Sequence, residues 1–238
     1  MGLLQNLKDI ELAREKIKDF KNVVYLQIIL LLVTMLFKNI LELFDLAHTD
    51  KVTEILFFSV LGVYVYLLWD MLRNYTRNRF LLLALLVLIM GTFLTGVIFI
   101  NPFFTLIDGI VFRIVAGLIM FTLLCVEISV MYFTVAEMFK IDLPINERLL
   151  GATCIYLITG IAFGSIYEII GLINATHLPF DLPMGTLHFM KSISFSFLTL
   201  GGIDNPYVCS ELVIHLTAIE AIWGNLFIVF VVGRLLYK

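Results

Sequence analysis

The chain has 238 residues, of which 61% are apolar and only 15% charged, where a soluble domain carries about 25% charged residues. That balance excludes a soluble globular fold and places the chain among integral membrane proteins. The formal net charge of −3 arises without any basic block, which excludes nucleic acid as a partner.

Residues 1–22 interleave Leu4, Leu7, Ile10, Leu12, Ile17 and Phe20 with charges of both signs. This pattern predicts an amphipathic helix at the membrane surface or against the protein. The first apolar run starts only after this segment, and no small-residue cleavage site follows it. It therefore reads as a retained span and not as a signal peptide. Six spans are predicted, roughly 23–44, 52–72, 80–100, 106–133, 150–172 and 212–236. Each has the ~20 residues that cross the ~30 Å hydrocarbon core as a helix. Helices are the expected form because lipid offers no partner to open backbone groups. The first four spans form one transmembrane domain over 23–137. A cytoplasmic linker follows over 138–149, and a second domain over 150–238.

Basic residues mark the cytoplasmic side. They occur in the N-terminal segment (Lys8, Arg14, Lys16, Lys18, Lys21), in the second link (Arg73, Arg77, Arg79), in the fourth (Lys140, Arg148) and in the tail (Arg234, Lys238). The other links are poor in them, with Lys51 and Lys191 the main exceptions. The expectation is a multi-pass protein of the cell membrane with both termini in the cytoplasm. The three cysteines, Cys125, Cys154 and Cys209, lie far apart without metal-ligand spacing.

Between the fifth and sixth spans lies a segment too long for a turn, from Ile173 to Glu211. Its first part, INATHLPFDLPMG, suits an extracellular loop, and Asn174-Ala175-Thr176 fits a glycosylation acceptor. Its second part, TLHFMKSISFSFL, is too short to span but suits a re-entrant half-helix, with Asp181 or Thr186 as its cap. FSFLTLGGIDNPY then supplies a helix end and irregular backbone, which survives at membrane depth only inside protein or beside water. Long helix, half-helix, irregular stretch and long helix make one wedge of a pore. The half-helix points its partially negative C-terminal end at an axis. Carbonyls of the stretch after it replace an ion's hydration shell. A closed ring of such wedges implies a symmetric oligomer, with four subunits the natural count.

These residues resemble the pore module of tetrameric potassium channels. In that family the half-helix ends in a phrase like YFSFVTLTTVGYGD, and here the text is SFSFLTLGGIDNPY. Phe195 to Leu200 match well. The helix LVIHLTAIEAIWGNLFIVFVVGRLL is similar to the family's inner helix, and CIYLITGIAFGSIYEIIG to its outer helix. The resemblance covers roughly residues 148–238. It implies an all-α membrane protein with a re-entrant pore helix between the fifth and sixth spans, assembled as a homotetramer in the bilayer and passing monovalent cations. The family's Gly-Tyr-Gly filter is missing. In one register Gly202, Ile203 and Asp204 take its place, in the other Asp204, Asn205 and Pro206. A β-branched Ile203 resists positive φ and Pro206 has no N–H. The filter implied is non-standard and weakly selective, built from Thr199, Leu200, Gly201, Gly202, Ile203, Asp204 and Asn205. Thr199 and Asp204 would meet the permeating cation, Asp204 as a ring of carboxylates. The bland alternative is that Asp204 caps a local turn and the two glycines make a bend.

Intramembrane carboxylates are functional candidates by default. Glu168 and Glu220 would bond the half-helix from behind, hold its backbone in place and support the filter; for Glu220 the alternatives are a pore-facing charge and a neutral packing role. Gly224 and Gly233 would serve as hinges or as points of close helix packing. His188 on the half-helix reads as a hydrogen-bonded histidine. The fourth span has one basic residue, Arg113, which argues against strong voltage sensing. Glu127 in the same span needs a polar neighbour from another helix. No HExxH or Gly-x-Ser-x-Gly motif is present, so no enzyme and no cofactor are expected. The alternatives to a cation channel are a non-conducting channel homologue acting in signalling or assembly, and a small transporter. The transporter would require internal repeats, and only one broken region is found.

Overall fold

The computed structural model describes residues 18–44, 48–76, 79–99, 109–138, 145–178, 180, 182–203, 209–229 and 233. Among them the protein is helical, with no strand. The helices are α1 Lys18–Leu43, α2 Thr49–Tyr75, α3 Arg79–Phe99, α4 Ile110–Met138, α5 Ile145–Ile173, α6 Thr186–Leu200 and α7 Glu211–Phe227. Four of these helices contain stretches long and apolar enough to cross a membrane: Lys18–Leu43, Thr49–Asn74, Ile110–Ala136 and Arg148–Ile173. By length and composition the chain is a multi-pass membrane protein. The other two expected spans fall on α3, whose apolar stretch is Leu82–Gly96, and on α7.

The amphipathic segment expected over residues 1–22 lies outside the described residues up to residue 17. From Lys18 onward it continues into α1 without a break, and Phe20 is already buried at 4% exposure. Charges of mixed sign do not stop a helix whose alternate turns bury apolar residues. Near its far end α1 widens into a π-helical stretch over Val33–Phe37. Lys38 then reaches Asp50 of α2 at 2.8 Å and pins the two helix ends together. At the opposite end of α2, the Trp69 indole N–H donates to the Leu82 carbonyl of α3 at 3.1 Å.

The core joins Phe57, Tyr64 and Leu68 of α2, Val126 and Val130 of α4, Ile158 and Ile161 of α5, and Phe189 and Ile193 of α6. Helix α5 is the central strut, with Cys154, Ile158, Ser165 and Tyr167 fully enclosed. The molecular surface is apolar over long stretches, as at Leu83, Val87 and Leu94 of α3 and Ile214, Ile219 and Ile222 of α7. In water such a surface would drive aggregation, and in hydrocarbon it is a matched boundary.

Candidate functional site

The short helix α6 is the element the long ones enclose. Four of its polar residues form one stripe, His188, Ser192, Ser196 and Thr199, and all four are buried. Spacings of three and four residues put these groups one above another on one helix face. A buried hydroxyl or imidazole without a partner is costly, so the stripe must be answered by facing helices.

Two carboxylates answer it. Glu168 of α5, 3% exposed, accepts from the Ser192 hydroxyl at 2.9 Å and lies 2.6 Å from His188 Nδ1. Glu220 of α7 is fully buried, and its two oxygens are taken separately. The Tyr167 hydroxyl donates to Oε2 at 2.6 Å, and Ser196 Oγ bonds Oε1. Ser196 Oγ also lies 2.7 Å from the Gly160 carbonyl. One carboxylate thus ties α6 to α5, and the other ties it to both α5 and α7. Both bond side chains of α6 and not its backbone.

Glycines set the helix spacing. Gly160 and Gly164 lie four apart on the face of α5 that receives α6. A Cβ at Gly164 would stand 2.9 Å from the Ile193 Cα, and one at Gly160 would stand 2.6 Å from the Phe197 ring. On the other side, a Cβ at Gly224 would lie 2.7 Å from the Leu200 carbonyl oxygen. Gly224 is therefore a point of close packing of α7 on the end of α6. Gly233 is exposed, and a Cβ there would meet nothing within 4 Å among the described residues.

Helix α6 starts at Thr186, with Gly185 at the cap position and no capping side chain. Thr186 is thus the first helical residue and not the cap, and Asp181 lies outside the described residues. The helix ends at Leu200 by a Schellman motif. The Gly202 N–H donates to the Thr199 carbonyl at 3.0 Å and the Ile203 N–H to the Leu198 carbonyl at 2.9 Å. Gly202 has φ +67, the left-handed conformation this motif places just past a helix end. The Thr199 hydroxyl donates to the Phe195 carbonyl at 3.0 Å, so both its oxygens face helix partners. Leu200 is buried, and its carbonyl accepts from the Tyr156 hydroxyl at 3.3 Å. Gly201, Gly202 and Ile203 emerge at the surface, and Asp204, Asn205 and Pro206 lie outside the described residues.

A second buried polar group lies at the junction of α2 and α4. Glu127 is fully buried, and the Tyr64 hydroxyl is 3.4 Å from its Oε1. Tyr64 is a neighbour from another helix for one carboxylate oxygen, and the other, Oε2, has no hydrogen-bond partner among the described residues. Arg113 is exposed in the first turn of α4. No group of three or more His, Cys, Asp or Glu side chains among the described residues is arranged to hold a metal ion.

Of the residues that stand out in the sequence, Glu168, Glu220, Gly224 and His188 come together around α6. Sequence reasoning misses Tyr167, Ser192 and Ser196 as partners, and Gly160 and Gly164 as the seat. The available signals are the Gly-x-x-x-Gly spacing on the fifth span and the four-residue rhythm of His188, Ser192 and Ser196. Searches of protein families, characterised proteins and solved structures find no match to this chain.

Proposed function

We propose that this protein is a cation-channel subunit of potassium-channel-like architecture, with six membrane spans and α6 as a re-entrant pore helix. One observation carries the reading. A helix of 15 residues, too short to cross the bilayer, is buried between two longer helices and held to both by buried carboxylates. Fixing a half-helix at membrane depth is costly unless its end has a use there, and a cation at its negative C-terminal end is that use.

In this reading α6 ends at the Schellman turn, and residues 201–205 form the narrow mouth. Gly201 and Gly202 bring backbone near the axis, and Asp204 of each subunit contributes to a ring of carboxylates. Among the described residues, helix α7 buries Val213, Glu220, Gly224 and Phe227 within the chain. Its remaining apolar face suits packing against symmetry mates in a homotetramer. Monovalent cations pass down their gradient, losing part of their water at the mouth. Both termini lie in the cytoplasm and the host bilayer is the cell membrane.

The second reading is a non-conducting homologue of the same architecture, and the geometry of Thr199 favours it. Its hydroxyl and carbonyl already have partners within the helix end, whereas a filter threonine presents oxygen to the ion. Flux from proteoliposomes separates the two readings. A channel gives cation-dependent flux that Asp204→Asn alters in conductance or block. A conducting protein whose currents are unchanged by Asp204→Asn has another filter, and the absence of flux at any voltage leaves the second reading.

A further inference from the structure

Three helices of the first domain leave a groove between them at their mid-height. Leu61 and Gly62 are the central residues of the span Thr49–Asn74, Ile89 is the centre of α3, and Leu123 is the centre of Ile110–Ala136. All four line one cavity of about 450 Å³. That volume lies in the ~300–1,000 Å³ range of small-molecule sites. A neighbouring groove of about 600 Å³ continues along α3 from Thr92 back to Phe80 at its start. Along a helix those twelve residue-to-residue steps cover ~18 Å, close to the ~15 Å from bilayer midplane to headgroup level.

Apart from the Tyr66 phenol, the walls leave no hydroxyl proton for a polar ligand. The Ser59 hydroxyl donates to the Ile55 carbonyl at 2.7 Å, Thr92 to Leu88 at 2.9 Å and Thr122 to Leu118 at 2.8 Å. Each of these hydroxyl protons is taken by its own helix. The rest of the wall is mostly hydrocarbon and aromatic, with Phe58 and Phe93 stacked at 5.4 Å between ring centroids. Gly62 makes room for that pair, since a Cβ there would stand 2.6 Å from the Phe93 ring. Water and headgroups do not reach the middle of a bilayer, and an unfilled space of this size forfeits the contacts its lining would otherwise make.

We propose that this groove is a binding site for the acyl chain of a membrane lipid, seated between α2, α3 and α4 with its tail at the midplane. The length of the groove, its polarity and its height on the three helices all match a hydrocarbon tail descending beside α3.

Trp69 reports occupancy, because its ring lies 6.0 Å from that of Tyr66 on the groove wall. The Trp223→Phe protein removes the only other tryptophan and is placed in vesicles of phosphatidylcholine brominated at mid-chain, a contact quencher. The expected result is strong quenching of Trp69, reduced when the groove is filled from either wall by Thr92→Phe or Ser59→Phe. If one variant fails to fold, the other, on the opposite helix, carries the test. Quenching that is weak from the start, as when a second protein chain covers the groove, would overturn the proposal. So would quenching equal in the parent and the filled variants, which would mean bulk lipid contact only.

Discussion

At the scale of single residues, the bond pattern of Glu220 decides what its replacement does. Glu220→Leu leaves the buried Tyr167 hydroxyl without its acceptor, while Ser196 keeps the Gly160 carbonyl. The unsatisfied phenol costs about 1–3 kcal/mol, so a clear fall in detergent melting temperature is expected. Glu220→Gln keeps an acceptor oxygen and a similar shape, and should recover most of that loss. Equal melting of the two variants would show that packing alone holds α7 on α6. The two carboxylates are legible in the sequence because charged groups are rare in apolar runs. Their partners are not, because serine and tyrosine are ordinary in membrane helices and nothing in their identity says which face they take. Gly202 is legible as special but not in its role. A glycine that ends a helix and one that shapes a filter both need positive φ, and only the bonds from Gly202 and Ile203 to the preceding turn distinguish them.

At the scale of elements, the seat of α6 on α5 rests on missing side chains. Gly164→Leu would drive a branched side chain into the Ile193 backbone, where even a Cβ stands at 2.9 Å. Overpacking of this kind costs about 1–3 kcal/mol or more. The expected outcome is loss of a monodisperse folded species in size-exclusion chromatography. Gly117→Leu, on α4 with nothing within 4 Å of its Cβ position, should be tolerated. Helix positions are readable from hydropathy: within the described residues each predicted span overlaps a helix, and four of these helices are long and apolar enough to cross a membrane. Their ends are not: α1 begins by Lys18 and α4 runs through Met138. Polar end turns stay helical when the helix projects beyond the hydrocarbon, and composition marks only the part inside it.

At the scale of the whole molecule, the arrangement of basic residues fixes an expectation for the two ends of the chain. Reporter tags before α1 and after α7 should lie in the same compartment, read by protease accessibility in sealed vesicles. Opposite placement would require an odd number of crossings and would remove the six-span reading. The enclosure of α6 is the least readable property of the sequence. It depends on α1, α2, α5 and α7 meeting around one short helix, as at the Phe57–Phe189 ring contact of 5.8 Å. Such long-range meetings leave no periodic trace in any one segment.

The two carboxylate tethers differ in when they become available on the ribosome. Glu168 precedes His188 and Ser192 by only 20 and 24 residues, so that clasp can close as soon as the hairpin of α5 and α6 emerges. The clasp at Glu220 waits for α7, which follows α1 to α6 in the chain. Before α7 is in place Ser196 can bond the Gly160 carbonyl, and α6 is tethered to α5 alone. The hold on α6 is therefore completed last, by the described helix farthest along the chain.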